Sequence, residues 1–99
     1  MNTLVDFNII TIGSDVSMSK YIAECEMILR KHNLKTQIHA LGTNIEGDWD
    51  VISKAIEECH QHLHNLGVKR IFSNIKYTTR IDREQHIQEK IDAVQKHLK

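Results

Sequence analysis

Between Leu41 and Asp50 the chain reads Leu-Gly-Thr-Asn-Ile-Glu-Gly-Asp-Trp-Asp, a stretch that gathers a hydroxyl (Thr43), an amide (Asn44), carboxylates and an indole (Trp49) around two glycines. Such side chains can line a small polar pocket. The Glu46 carboxylate can accept a hydrogen bond from an amine or a protonated ring nitrogen, and charge-assisted bonds of this kind are roughly twice as strong as neutral ones. Trp49, or Tyr77 further on, can lie against a heteroaromatic ring. A plain hairpin followed by a capped helix would use the same Gly, Asn and Asp residues, so the segment by itself leaves both readings open. Two other groups of reactive side chains carry less. His60, His62 and His64 fall in a helical pattern in which only His60 and His64 share a face, and a zinc site wants three or four ligands, so they are expected to be polar-face residues with no metal. Cys25 and Cys59 form no CxxC pair and fall mid-helix, where buried reduced thiols are expected. No acid/base pair, nucleophile elbow or phosphate loop is present, and nothing in the chain asks for an enzyme.

The elements that must position these groups follow from periodicity. Val5 to Ile9 alternates and Ile10 to Ile12 continues it, predicting a first strand stopped by Gly13-Ser14-Asp15. Ser17 can cap a first helix whose apolar face is Met18, Tyr21, Ile22, Cys25, Ile28 and Leu29, with Lys31 and His32 at its C-terminal end. Thr36 to Thr43 and the stretch around Asn44 to Glu46 read as a strand pair, with Gly42-Thr43-Asn44 a turn or a bulge between them. An Asp at the close of the segment caps a second helix, patterned from Val51 to Leu66 on Val51, Ile52, Ala55, Ile56, Cys59, Leu63 and Leu66, and Gly67 is its expected left-handed end. Lys69 to Thr79 predicts a last strand. Asp82, with Gln85 as capping-box partner, predicts a third helix on Ile87, Ile91, Val94 and Leu98, a narrow seam that suits either its own domain or a partner subunit.

Ninety-nine residues make one domain, 1–99, and the absence of proline, low-complexity sequence and charge blocks leaves no linker to divide it. Thirteen basic and thirteen acidic residues cancel, so there is no field to attract a phosphate backbone, and scattered Phe7, Phe72 and Tyr77 do not make an RNA-stacking signature; no nucleic-acid partner is expected. No apolar run reaches the ~18 residues of a membrane span, and the first residues lack a signal-peptide pattern, so no membrane partner and a cytoplasmic location are expected.

In order, the elements read βαββαβ and then an extra C-terminal helix: an α+β, ferredoxin-like antiparallel sheet with two helices on one face. Alternation puts Asp6, Asn8, Ile10 and Ile12 opposite Val5, Phe7 and Ile9, and sets Phe72, Asn74 and Lys76 opposite Ile71, Ser73, Ile75 and Tyr77. One sheet face is therefore mixed apolar and polar. Such a face suits packing against another copy with a polar cleft at the seam, and a homo-oligomer, dimer or tetramer, is expected.

The segments Ile10–Gly13, Ser17–Cys25, Leu41–Asp50 and Arg70–Lys76, with Arg80-Ile81-Asp82, together resemble the thiamine-binding YkoF-like family of small ferredoxin-fold proteins. The most specific part is Gly42-Thr43-Asn44-Ile45-Glu46-Gly47, and the likeness spans nearly the whole chain. The resemblance implies a non-catalytic, oligomeric protein that binds thiamine or its hydroxymethylpyrimidine moiety, with no further cofactor. Glu46 would then be the polar anchor, with Asn8, Thr43, Asn44, Trp49, Ser73 and Asn74 as the rest of the lining. The alternative is a ferredoxin-fold interaction or regulatory module that binds no thiamine.

Overall fold

The computed structural model describes residues 1–14 and 16–98, with the elements β1 (Asn2–Ile12), α1 (Met18–Lys31), β2 (Lys35–His39), β3 (Gly42–Asp48), α2 (Trp49–Asn65), β4 (Arg70–Thr79) and α3 (Ile87–Gln95). The four strands form one antiparallel sheet in the order β2-β3-β1-β4. This is the expected ferredoxin-like α+β arrangement. β1 is central because it alternates most cleanly: Thr3, Val5, Phe7 and Ile9 are buried, while Asp6 and Ile10, on the alternate positions, are exposed.

The core lies between that face and the two long helices. Tyr21, Cys25 and Leu29 of α1 and Ile52, Ala55, Ile56, Cys59 and Leu63 of α2 recur at three- and four-residue steps and close over Val5, Phe7, Ile9 and Ile45. Both cysteines are free and buried, and Cys59 Sγ lies 3.6 Å from the Cys25 carbonyl oxygen. Contact with Cys25 and burial push the Cys59 thiol well up, which keeps it protonated and inert. At the end of α2, Gly67 has φ +103°, the left-handed conformation expected of it.

Three local expectations are corrected. The β2–β3 turn is Ala40-Leu41, so Gly42, Thr43 and Asn44 belong to β3 itself; His39 pairs with Gly42, and a Cβ on Gly42 would stand 2.8 Å from the Phe7 carbonyl oxygen, an approach only glycine permits. The cap of α2 is Asp48, whose side chain accepts from the Asp50 N–H at 3.2 Å, and the helix takes in Trp49 and Asp50. The last helix begins at Ile87, five residues beyond Asp82. Tertiary partners outbid the local capping signal there: Asp82 pairs with Arg80, and Gln85 is buried, bridging the Thr78 hydroxyl (3.1 Å) and carbonyl (3.2 Å) while its own N–H donates to Asn2 Oδ1 (3.1 Å). α3 docks within the chain, on the sheet face away from α1 and α2, through Ile87 and half-buried Ile91, whereas Val94 and Leu98 remain exposed.

Candidate functional site

Strand register arranges the face opposite α1 and α2 in rows. At the end under α3 lie Lys35, Glu46, Leu4 and Thr78; next come Gln37, Asn44, Asp6 and Lys76; then His39 and Gly42 beside Asn8 and Asn74; and beyond them Ile10 with Phe72, and Ile12 with Arg70. Two adjoining cavities open over the middle rows. One of about 350 Å³ is lined by Asp6, Asn8, Leu41, Asn74, Ile75 and Lys76. The other, about 390 Å³, includes Leu4, Asn44, Thr78, Ile87 and Ile91 and shares Asp6 and Lys76 with the first, so the two form one groove.

Period-two alternation divides the seven residues expected to line a site. Asn8, Asn44, Glu46 and Asn74 lie on this open face, whereas Thr43, Trp49 and Ser73 lie on the side of the helices. Thr43 is buried. Trp49, the first residue of α2, stacks on Tyr77 with ring centroids 4.6 Å apart and planes 15° from parallel, so one face of each ring is taken by the other. The Ser73 hydroxyl is held by His60 Nε2.

Glu46 is committed to α3. Its Oε1 accepts from the Ile87 backbone N–H and its Oε2 pairs with His86 Nδ1, both at 2.9 Å, leaving the side chain only 10% exposed. A carboxylate at the first N–H groups of a helix satisfies donors that have no intrahelical partner and meets the positive end of the helix dipole. Burial opposes the charge on Glu46, yet the hydrogen bonds from His86 and Ile87 outweigh it, and its carboxyl ionises below the usual glutamate range. In return, the hydrogen bond to Glu46 raises His86 above the ordinary imidazole range.

The middle rows carry the groups that a ligand could use. Asn8 Oδ1 accepts from both the backbone N–H (3.2 Å) and the side-chain amide (2.9 Å) of Asn74. With that oxygen engaged twice, Asn8 has its NH₂ to offer and Asn74 its amide oxygen, which makes a donor beside an acceptor. Asp6 stands between Asn44 and Lys76, its side chain half exposed, and His39 Nε2 is 2.8 Å from Asp6 Oδ1. Leu41 N–H donates to His39 Nδ1 at 3.3 Å, which leaves the ring proton on Nε2, facing the Asp6 carboxylate. The sequence reading placed Asp6 and Lys76 on this face, by the same alternation that set them beside Asn8 and Asn74, without giving either a role, and it passed over His39.

The histidines of α2 go separate ways: His62 pairs with Glu24 at 2.7 Å and His64 with the Val68 carbonyl at 2.7 Å. Among the described residues no group of three or more His, Cys, Asp or Glu side chains is placed to hold a metal ion. No helix among them is long and apolar enough to cross a membrane.

A ferredoxin-like sheet with one face under helices and a polar groove on the other thus defines the class. The chain belongs to the thiamine-binding protein family, whose model matches residues 5–95. It is 43% identical to UPF0045 protein sll0230 of Synechocystis over 96% of this chain and 78% of that one, and 38% identical to UPF0045 protein ECM15 of Eremothecium gossypii over 99% and 94%. Among solved structures it is similar to MJ1052 of Methanocaldococcus jannaschii, with a TM-score of 0.86 at 35% identity covering 95% of this chain and 96% of that one. TM0486 of Thermotoga maritima shares the fold alone, with a TM-score of 0.81 at 16% identity covering 95% and 99%.

Proposed function

We propose that this protein binds thiamine or its hydroxymethylpyrimidine moiety without transforming it, and that it sequesters, delivers or senses that ligand in the cytoplasm. The observation that carries the reading is the donor–acceptor pair of Asn8 and Asn74 beside Asp6. An aminopyrimidine presents an exocyclic amine next to a ring nitrogen, and the Asn74 oxygen and the Asn8 amide answer them in kind, as carboxamides do on the adenine edge. Asp6 supplies the charge complement of the thiazolium, with Asn44 on its flank. Glu46 acts from the edge of the groove by holding α3 over one end. Thr43, Trp49 and Ser73 support the framework from the other side of the sheet.

A second copy of the chain completes this site in the proposal. Ile10, Ile12 and Phe72 form an exposed apolar band alongside the groove, and a copy laid on that band, in a dimer or tetramer, would deepen a shallow cleft into one that buries most of a small ligand. The same band favours the competing reading, a protein-interaction module. Isothermal titration separates them. Thiamine or hydroxymethylpyrimidine should bind with measurable heat and be recovered unchanged. Asp6→Asn should weaken thiamine by about 1.5 to 3 kcal/mol, and Asn74→Ala should weaken both ligands by about 1 kcal/mol. Absence of heat for both ligands at millimolar concentration, with folded protein, rules the proposal out in favour of the interaction module.

A further inference from the structure

The open-face groove continues past the row of Asp6 until α3 covers it, and the charge along it changes sign on the way. The amide pair of Asn8 and Asn74 comes first and the Asp6 carboxylate next; two lysines come last, Lys76 beside Asp6 on β4 and Lys90 on α3. We propose that this far end is a phosphate subsite held by Lys76 and Lys90, so that the groove takes the phosphate monoester of thiamine in preference to the free alcohol. The subsite presupposes the open-face reading and adds which form of the ligand that face selects.

Lys90 is the reason. It follows Ile87 by three residues and precedes Ile91 by one, so helical spacing sets it on the face of α3 that docks, where an apolar side chain would bury more surface. Together with Ile87 and Ile91 it lines the cavity over Asp6, Asn44 and Lys76. The acids nearby are engaged elsewhere: Glu46 by His86 and the Ile87 N–H, Asp6 by His39, and Glu89 by Arg83 at 3.3 Å. Among the described residues neither Lys76 nor Lys90 makes an ion pair. Lys35, opposite Glu46 on β2, adds positive charge to the same end. In a chain whose charges cancel overall, this is a local device.

The spacing of the rows fits the order of groups in the ligand. Rows on one sheet face are two residues apart, about 7 Å, so one step leads from the amide pair to Asp6 and a second from Asp6 to Leu4 and Thr78 beneath α3. Thiamine carries its aminopyrimidine at one end, the thiazolium one carbon further, and then a hydroxyethyl arm whose oxygen bears the phosphate in the ester. With the aminopyrimidine on Asn8 and Asn74 and the thiazolium at Asp6, the arm runs under α3 and the ester meets the lysines. A phosphate monoester carries about −1.5 to −2 charges near neutral pH, and a lysine ammonium meets it as a point charge with three donors that turn to suit it. The apolar Leu4, Ile87 and Ile91 beside the contact keep it less screened than it would be in open water. The free alcohol leaves both ammonium groups to solvent.

Isothermal titration of the full chain with thiamine and with thiamine monophosphate, side by side, tests this. The monophosphate should bind about tenfold or more tighter. In Lys90→Gln the two ligands should bind alike, whereas Lys54→Gln, the same charge change on an exposed position of α2, should keep the full preference. Should Lys90→Gln undock α3, Lys76→Gln removes the other charge from β4 and should cut the same preference. In the labelled protein the monophosphate should shift the amides of residues 87–91 as well as those of Asp6, Asn8 and Asn74. Equal affinity for the two ligands, or a preference that survives both lysine variants, overturns the phosphate subsite; heat from thiamine with shifts at Asp6, Asn8 and Asn74 then leaves the open-face reading standing. Absence of heat from both ligands overturns the two together.

Discussion

Replacing Trp49 with Ala is expected to lower the unfolding free energy by about 2 to 4 kcal/mol and to leave thiamine affinity unchanged. Trp49 opens α2, packs against the buried cluster and stacks on Tyr77, so its loss removes both a large apolar surface and a ring contact. It does this on the helix side of the sheet, away from Asp6, Asn8 and Asn74. Chemical denaturation with titration of the folded variant measures both quantities. A large fall in affinity with stability intact would instead make the indole a ligand contact and move the site to the other face.

Glu46→Ala is expected to cost about 1 to 3 kcal/mol, concentrated in the docking of α3, because it removes at once the acceptor of the Ile87 N–H and the partner of His86. Hydrogen exchange should show the amides of residues 87–95 losing protection while those of β1 and α2 keep theirs. The contact also carries a pH signature. The Glu46 carboxyl is held below its unfolded value near 4.5, so its contribution is present above that pH and is lost as pH falls through the lower folded value. His86 is held above its unfolded value near 6.5, so its contribution is complete below that pH and is lost as pH rises through the higher folded value. The pair is therefore strongest between about pH 5 and 6, and the protection of α3 in the wild type should decline on either side of that window. In Glu46→Ala both slopes should flatten. Unchanged protection of α3 in the variant would mean that Ile87 and Ile91 hold the helix unaided.

The elements legible in the sequence were those whose pattern is set by one dominant contact. The alternation of β1 and β4 identified both faces of the sheet correctly, because Val5, Phe7 and Ile9 must all meet the helices. The stripe of α2 from Ile52 to Leu63 and the glycine that ends the helix were equally plain, although Leu66, expected on that stripe, caps the helix and is exposed. What escaped was set by partners distant in sequence. Asp82 and Gln85 carry a sound capping signal, yet Arg80, Thr78 and Asn2 take their side chains and backbone, and the helix starts later.

The segment from Leu41 to Asp50 shows the limit most clearly. Taken as a continuous polar run it suggested one pocket, but as a strand it sends Thr43 and Ile45 to the core and Asn44 and Glu46 to the open face. Glu46 was read as the acceptor of a ligand's amine or protonated ring nitrogen; that it meets His86 and the start of α3 was not legible, since 40 residues separate it from His86.

The proposed seat of the aminopyrimidine is the amide pair Asn8–Asn74 with the carboxylate of Asp6 beside it. Amide shift mapping of the labelled protein with thiamine tests it most directly. Saturable changes concentrated at Asp6, Asn8, Asn44, Asn74 and Lys76, lost in Asp6→Asn, are the predicted result. Saturation of the protein with those residues unmoved would contradict it.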